Sequence, residues 1–566
     1  MESVNLVVVG AGWYGLAAAK TYIELHQDER ILVLDSASSV GGVWSSERLY
    51  PGLKSNNMLG TYEYSDFPMD TATYGVRPGE HIPASTIHRY LTAYAEHFGL
   101  LSRMRFDTRV NAAEEKEGAW ILDIHNTVTG ERTQLKTDKL VIATGLTSEP
   151  HVPTIDGQED FKGPIFHSKD FAAHAGLEKK VRSVAVLGGA KSAWDAAYTY
   201  AAADVSVEMI IRTNGRGPTW MVPPYVTPMK KWLEKLVHTR FLQWFSPCVW
   251  GDEDGYESIR RFLHGTWFGR KIVDTFWSIL CADAIQKAGY DNHEETKKLK
   301  PWNSAFWIGS GLSILNFPTD FLQLVRDGKI RVHLADVTSL SSTSVHLSNG
   351  QSIEVDALLC ATGWKSSPPI NFLPTERLAE LGMPYCPSQP VPLLENADAE
   401  ILARFPRLKD QPEIASSATE QGEKRSNQPF CLYRFLTPPA VLEKQNIAFA
   451  GMTSTVSTPI VAQTQALWIS AFFDGKLDRL PPREQAQWEA VLHNRFGKWR
   501  YPCGYGDRLP DFVFDALPYV DMLLRDLGVK SHRKSGRLAD MFEPYGPEDY
   551  KGLVSEWAEN HIVRTP

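Results

Sequence analysis

A glycine-rich nucleotide-binding signature occurs twice in this chain, and the two copies differ at one residue. The first copy is Val7-Val8-Val9-Gly10-Ala11-Gly12-Trp13-Tyr14-Gly15, and Asp35 ends the next apolar run, Ile31-Leu32-Val33-Leu34. The second is Val184-Ala185-Val186-Leu187-Gly188-Gly189-Ala190-Lys191-Ser192-Ala193, and Arg212 ends the run Glu208-Met209-Ile210-Ile211. Asp35 follows Gly10 by 25 positions and Arg212 follows Gly188 by 24, so the two hold equivalent places. Glycines at these positions make a tight turn and let backbone N–H groups approach a pyrophosphate at a helix N-terminus. An acid at the end of the second strand hydrogen-bonds the ribose hydroxyls of an unphosphorylated adenosine, whereas an arginine there pairs with a 2′-phosphate. The first site therefore suits FAD and the second NADPH. Such a pair describes a flavin-dependent redox enzyme.

Each signature opens a longer unit. The first continues through strand-like stretches at Arg105 to Val110, Trp120 to His125 and Gln134 to Leu135, and closes on Leu140-Val141-Ile142-Ala143-Thr144-Gly145. The second continues through Lys329 to Leu334, Ser344 to Leu347 and Ser352 to Val355, and closes on Ala357-Leu358-Leu359-Cys360-Ala361-Thr362-Gly363. This is a duplication at the level of the domain. The second copy is stretched by an insertion at 216–325 with helix-like segments at Met229 to Phe245 and Asp274 to Lys287. Pro384 to Gln428 reads as a surface excursion. A buried strand at Ile447 to Gly451 and a helix at Ala462 to Phe473 follow.

The composition of the 566 residues, 43% hydrophobic and 22% charged with a formal charge of −8, is that of a globular protein and argues against nucleic acid as a partner. Six cysteines, Cys248, Cys281, Cys360, Cys386, Cys431 and Cys503, form no Cys-x-x-Cys pair. Zinc ribbons and dithiol redox motifs are thereby excluded, and reduced thiols in a cytoplasm are expected. The N-terminus lacks a signal-peptide pattern, and no apolar run approaches the ~20 residues that span a bilayer. Many of the seventeen tryptophans fall between 220 and 310, where they serve either packing or the walls of a substrate cavity.

Gly41-Gly42-Val43-Trp44 suits a backbone that passes a ligand, so a second contact to the flavin dinucleotide is expected there. Lys191 and Arg216 are secondary candidates for phosphate contacts. Leu53-Lys54-Ser55-Asn56-Asn57 puts amide side chains on a loop, which taken alone is a turn pattern.

Together these motifs resemble the flavin-containing monooxygenases and the related Baeyer–Villiger enzymes. The resemblance rests on the first glycine signature, Gly41 to Trp44, Ser55-Asn56 with Ser65-Asp66-Phe67-Pro68, and both Ala-Thr-Gly closures. It also rests on the linker Phe161-x-Gly163-x-x-x-His167-Ser168-x-x-Phe171. It covers residues 4 to about 365 and 446–470. It implies an α/β fold of two Rossmann-like domains of the glutathione-reductase type, the NADPH domain inserted in a discontinuous FAD domain. The expected division is FAD domain 1–160 and 341–480, NADPH domain 161–340, and a helical or loop-like extension 481–566. The resemblance further implies NADPH oxidation and formation of a C4a-hydroperoxyflavin. Asn56 takes the place of a catalytic asparagine beside the flavin, Ser55 lies beside it, Ser192, Ala193 and Asp195 sit where the family binds NADP, and Gln465 matches a glutamine near the isoalloxazine. The family's usual Glu is Asp35 here, its Glu two places before that glutamine is Gln463, and its Arg two places after is Leu467.

The expected reaction is insertion of one oxygen of O2 into a small organic substrate at N or S. The alternative is a Baeyer–Villiger oxidation of a ketone. Phe171, where Baeyer–Villiger enzymes usually carry Trp, favours the first. So does the lack of a cation for the tetrahedral intermediate among motifs 41–68, with Arg48 read as a solvated loop residue. A non-oxygenating oxidase or reductase and a cofactor-sensing regulator remain further alternatives, and a homo-oligomer is open.

Overall fold

The computed structural model describes residues 1–226, 231–384, 390–413, 429–506 and 508–562. Each signature lies in its own parallel sheet. In the first, strand Glu2–Val9 runs parallel to Ile31–Leu34 on one side and to Arg132–Ile142 on the other. Its residues Leu6 to Val9 are buried as a continuous apolar run, as expected of a strand covered on both faces. Met104–Arg105 extends the sheet beyond Ile31–Leu34. The long strand Arg132–Ile142 has two partners on its far side. Its first half closes an antiparallel meander with Thr108–Lys116 and Ala119–Asn126, and its end pairs in parallel with Ile447–Phe449. Residues after 440 therefore return to the first sheet, and Asn371–Leu373 adds to its edge beside Thr108–Lys116.

The second sheet is wholly parallel, in the order Ile165–His167, Ala357–Cys360, Ser183–Leu187, Ser206–Ile211, Ile330–Leu334. The fold is α/β, with the second unit inserted in the first. Where the chain crosses between them, Glu149–Pro150 and Trp364–Lys365 run side by side as a short antiparallel ribbon.

Four expectations are corrected. Lys329 to Leu334 is the edge strand of the parallel sheet; the second meander is Val337–Ser341, Ser344–Leu347 and Ser352–Glu354. Because that meander and Ala357–Cys360 belong to the second unit, a boundary at 340/341 falls inside it, and the chain rejoins the first sheet at Asn371. The helix expected at Met229 to Phe245 is a strand, Lys231–Trp232, and two short helices, Leu233–Val237 and Arg240–Gln243. Thr239 interrupts them by capping Leu242 N with its hydroxyl; Met229 itself lies outside the described residues. Within 384–428, helix Val391–Arg404 is no excursion, because Asp398 accepts hydrogen bonds from Arg495 Nε at 2.9 Å and Trp499 Nε1 at 2.7 Å. The rest of that stretch, Cys386 included, is partly outside the described residues.

The insertion, with its long helix Trp267–Ala288, and the C-terminal helices Arg483–Arg500 and Ala516–Asp526 share one apolar core with helices Trp13–Leu25 and Thr458–Phe473. Arg240 ties the insertion to the tail. It is 1% exposed, pairs with the equally buried Asp521, and its Nε lies 3.2 Å from Asp540. Among the described residues no helix is long and apolar enough to cross a membrane.

Removing one member of a buried ion pair leaves the other charge uncompensated, at a cost of about 3–5 kcal/mol. Arg240→Leu is therefore expected to lower the first urea-unfolding transition by that order. An unchanged transition would mean that Asp521 and Asp540 are satisfied without it.

Candidate active site

In the first turn, Gly10 adopts φ 115°, and a Cβ on it would stand 2.3 Å from Ala143 O. A Cβ on Gly15 would stand 1.8 Å from Gly10 O. The fold itself demands both glycines. Gly12 differs, because a Cβ there would meet nothing closer than Gly42 Cα, at 3.6 Å, an ordinary contact. The backbone at Gly12, facing Gly41-Gly42 at the N-terminus of helix Trp13–Leu25, is thus bare for a reason other than packing of the protein on itself. The Asp35 carboxylate accepts from Ala11 N at 2.6 Å and Ala37 N at 2.9 Å, and burial raises its pKa against these bonds. Its charge thus also holds the turn in shape. The Trp13 indole packs on Tyr62 and Tyr64, so what Trp13 offers a dinucleotide is backbone. Tyr14 packs under Gly451; Val43 is exposed, and Trp44 donates through Nε1 to Tyr62 OH at 3.3 Å.

The second turn repeats this construction. A Cβ on Gly188 would stand 2.4 Å from Ala361 O, and Gly188 N donates to Ile210 O just as Gly10 N donates to Leu34 O. Ala193, fully buried where the first copy has Gly15, shows that this helix stands further off its turn. Ser192 is exposed in the first turn of helix Lys191–Ala202. Asp195 accepts from Lys191 and, at 3.4 Å, from Tyr50 OH of the first unit. Arg212 is exposed and, among the described residues, forms no ion pair, which leaves its guanidinium open to an anionic group. Arg216 lies over the Tyr505 ring.

Asn56 opens onto a cavity with about 850 Å3 of atom-free space, its mouth included. Asn56 Nδ2 donates to Ser313 Oγ at 3.2 Å, Asn57 Nδ2 donates to Val456 O at 2.8 Å, and both asparagines line the cavity with Ser313 and Glu234. The remaining wall is apolar, with Trp220, Leu242, Trp277, Leu312, Val513 and Phe514 prominent. The tryptophans of the insertion divide between cavity and core. Trp220 and Trp277 face the cavity, while Trp244, Trp250 and Trp307 pack in the core. Glu234, Ser313 and the tail residues Val513 and Phe514 carry no local motif that would reveal them.

Ser55 and Gln465 spend their polar atoms on protein. Ser55 Oγ donates to Asn57 O at 2.5 Å and accepts from Ile82 N at 3.0 Å. Gln465 accepts from Gly451 N and donates to Tyr519 OH, both at 2.9 Å. Gln463 clamps the Ser65-Asp66 motif, accepting from Ser65 N and donating to Asp66 Oδ1.

Arg48 is corrected. It is half-buried, stacks 5.1 Å over Trp364 and donates to Thr147 O at 3.1 Å, so both interdomain connections hold it. A planar guanidinium over an indole face gains cation–π attraction that a solvated loop residue would lack. His167 of the linker ends strand Ile165–His167, with Nε2 3.0 Å from Gly363 O.

Residues 3–248 match the family model described as flavin-binding monooxygenase-like. The FAD-dependent monooxygenase resA of Aspergillus sclerotiorum is 35% identical, over 99% of both chains. The chain belongs to the flavin-binding monooxygenase-like family. An FAD-dependent monooxygenase of Pyrenophora dematioidea is 36% identical, over 95% of this chain and all of the relative. Cyclohexanone monooxygenase from Rhodococcus sp. Phi1 shares the fold, with a TM-score of 0.59 at 17% identity, covering 92% of this chain and 97% of its own. As a member of the family, this chain is a flavoprotein monooxygenase with FAD and NADPH as cofactors.

The two glycines separate fold from ligand. Gly12→Val is expected to purify without flavin and to melt like flavin-free wild type, whereas Gly15→Ala damages the fold itself. Flavin retained at full occupancy by Gly12→Val would show that no ligand passes that position.

Proposed function

We propose that this monooxygenase oxygenates a lipophilic small molecule at nitrogen or sulfur, in the cavity beside Asn56. The observation that carries this reading is the charge of the wall. Among the described residues lining the cavity there is no Lys, Arg or His, and Glu234 brings the one carboxyl. A Baeyer–Villiger step needs a cation to stabilise an anionic oxygen nucleophile and the tetrahedral intermediate. An apolar wall bearing a carboxyl works against both, and Arg48 is held at the interdomain ribbon by Trp364 and Thr147.

Bound FAD supplies the reaction with O2, and NADPH supplies the hydride. The chain supplies everything else. The first turn and Asp35 hold FAD by backbone N–H groups and a carboxylate, and the second turn with Arg212 holds NADPH. The apolar wall excludes water from the reacting atoms and orients an apolar substrate. Asn56, anchored to Ser313, presents an amide to the cavity. The five described cysteines are free thiols, which supports a cytoplasmic setting. O2 and the small molecule are the partners this reading requires.

Product analysis under 18O2 with matched amines, thioethers and ketones tests the reaction type. N- or S-oxides carrying one 18O, formed at higher yield per NADPH than any ester or lactone, are expected. Better coupling with ketones would overturn the reading. Asn56→Ala should still oxidise NADPH but raise peroxide release several-fold.

A further inference from the structure

Glu234 is the polar group that the reaction as described does not use. It lies in the first turn of the short insertion helix Leu233–Val237, is 8% exposed, and lines the cavity beside Asn56 and Asn57. Its carboxyl does not stand free. Asn57 Nδ2 and Thr61 Oγ1 both donate to Oε1, and Met58 N donates to Oε2 at 3.1 Å. All three donors belong to the strand Lys54–Met58 that carries Asn56, or to the turn that follows it.

The same helix reaches a second element. Asn57 Nδ2 also donates to Val456 O, and the Glu234 backbone carbonyl accepts from His238 Nδ1 at 2.7 Å. That bond fixes the His238 tautomer, so Nε2 accepts from Ser457 Oγ at 2.6 Å. One turn of helix thereby ties the Asn56 strand to the loop preceding helix Thr458–Phe473.

We propose that Glu234 is the positioning residue for Asn56, its carboxyl holding Asn57, Met58 and Thr61 so that the neighbouring amide keeps its place in the cavity. This rests on the role given to Asn56 above. Asn57 Nδ2 and Met58 N are donors only and reach different oxygens of the Glu234 carboxyl, and the carboxylate is the form in which both oxygens only accept. Thr61 is the adjustable member, because its single hydroxyl hydrogen has two acceptors within reach, Glu234 and Met58 O at 2.9 Å. When Glu234 takes up a proton it can donate to Thr61, which turns to Met58 O, and the hold on Asn57 weakens.

Burial raises the Glu234 pKa to about 7, opposed by the bonds from Thr61, Asn57 and Met58. The charged or titratable groups that face it are few. Burial keeps His238 neutral, with its pKa lowered to about 4, and Tyr62, from the segment after the strand, stays protonated with its pKa raised. Lys235, next on the helix, turns onto the Trp232 ring. Val456 and Ser457 bring only a carbonyl and a hydroxyl. The folded chain keeps this proton up to about pH 7, while an ordinary glutamate releases it near 4.5. The group's contribution to stability is therefore complete below 4.5 and is lost as pH rises to 7.

The test combines Glu234→Gln, Thr61→Val and Asn56→Ala in the FAD-loaded enzyme, with peroxide released per NADPH measured from pH 6 to 8.5. Wild type is expected to couple better above an inflection near 7. Glu234→Gln should lose the inflection and leak several-fold more peroxide at pH 8. Thr61→Val, which removes one donor to the carboxylate, should move the inflection upward. In the Asn56→Ala background, Glu234→Gln should add less than twofold, as expected for residues that act through one another. A readout independent of turnover is the melting temperature of the protein without flavin. Wild type should lose stability relative to Glu234→Gln as pH rises from 5.5 to 8. Wild-type coupling and pH profile in Glu234→Gln, or an effect that multiplies undiminished with Asn56→Ala, would overturn the proposal while leaving the role of Asn56 intact. Wild-type coupling in Asn56→Ala itself would overturn both.

Discussion

Two backbone-on-backbone contacts organise this molecule: Gly10 packed on the carbonyl of Ala143, and Gly188 packed on the carbonyl of Ala361. Each brings the first turn of a nucleotide-binding unit against the end of the strand that closes the same unit. Each leaves no room for a side chain. The Ala-Thr-Gly closures recur because they are the partner surface of the glycine turns, and hydrogen bonds from Ala143 N to Val9 O and Ala361 N to Leu187 O, both 2.8 Å, lock the two in register. On the proposed reading, ligand specificity is then a matter of the side chain at the end of the next strand, Asp35 in one unit and Arg212 in the other.

The cavity is built differently. No single unit contains it. Its lining is drawn from the Asn56 strand, from the insertion's Trp220, Leu242 and Trp277, and from Val513 and Phe514 of the tail. The buried Arg240–Asp521 pair joins the last two, so the cavity wall depends on contacts between segments far apart in the chain. Such a wall can change its lining without disturbing either glycine turn.

This division explains what could be read in advance. The glycine turns and the strand ends followed by Asp35 and Arg212 were legible because spacing over a few dozen residues places them. The discontinuity of the first unit was legible too, since a lone buried strand at Ile447 needs a sheet to join. Arg48 was misread because its partner, Trp364, lies in the other interdomain connection and nothing local announces the stack. The edge strand Ile330–Leu334 was misassigned to the meander because a short apolar run has the same pattern in a parallel edge as in a hairpin. Glu234 was invisible, since a Glu in the first turn of a short helix is ordinarily a solvated residue favoured by the helix dipole. Only the long-range packing of that helix on the Asn56 strand buries it.

We propose that one construction serves two dinucleotides and that a single position decides between them. The direct measurement is the ratio of kcat/KM for NADPH to that for NADH, in wild type and in Arg212→Ala. A hydrogen bond to a charged group contributes about 1.5–3 kcal/mol, so wild type should favour NADPH by at least about tenfold. Arg212→Ala should lose most of that preference through the KM for NADPH, with NADH nearly unchanged. Equal use of the two cofactors by wild type, or an undiminished preference in Arg212→Ala, would contradict the account.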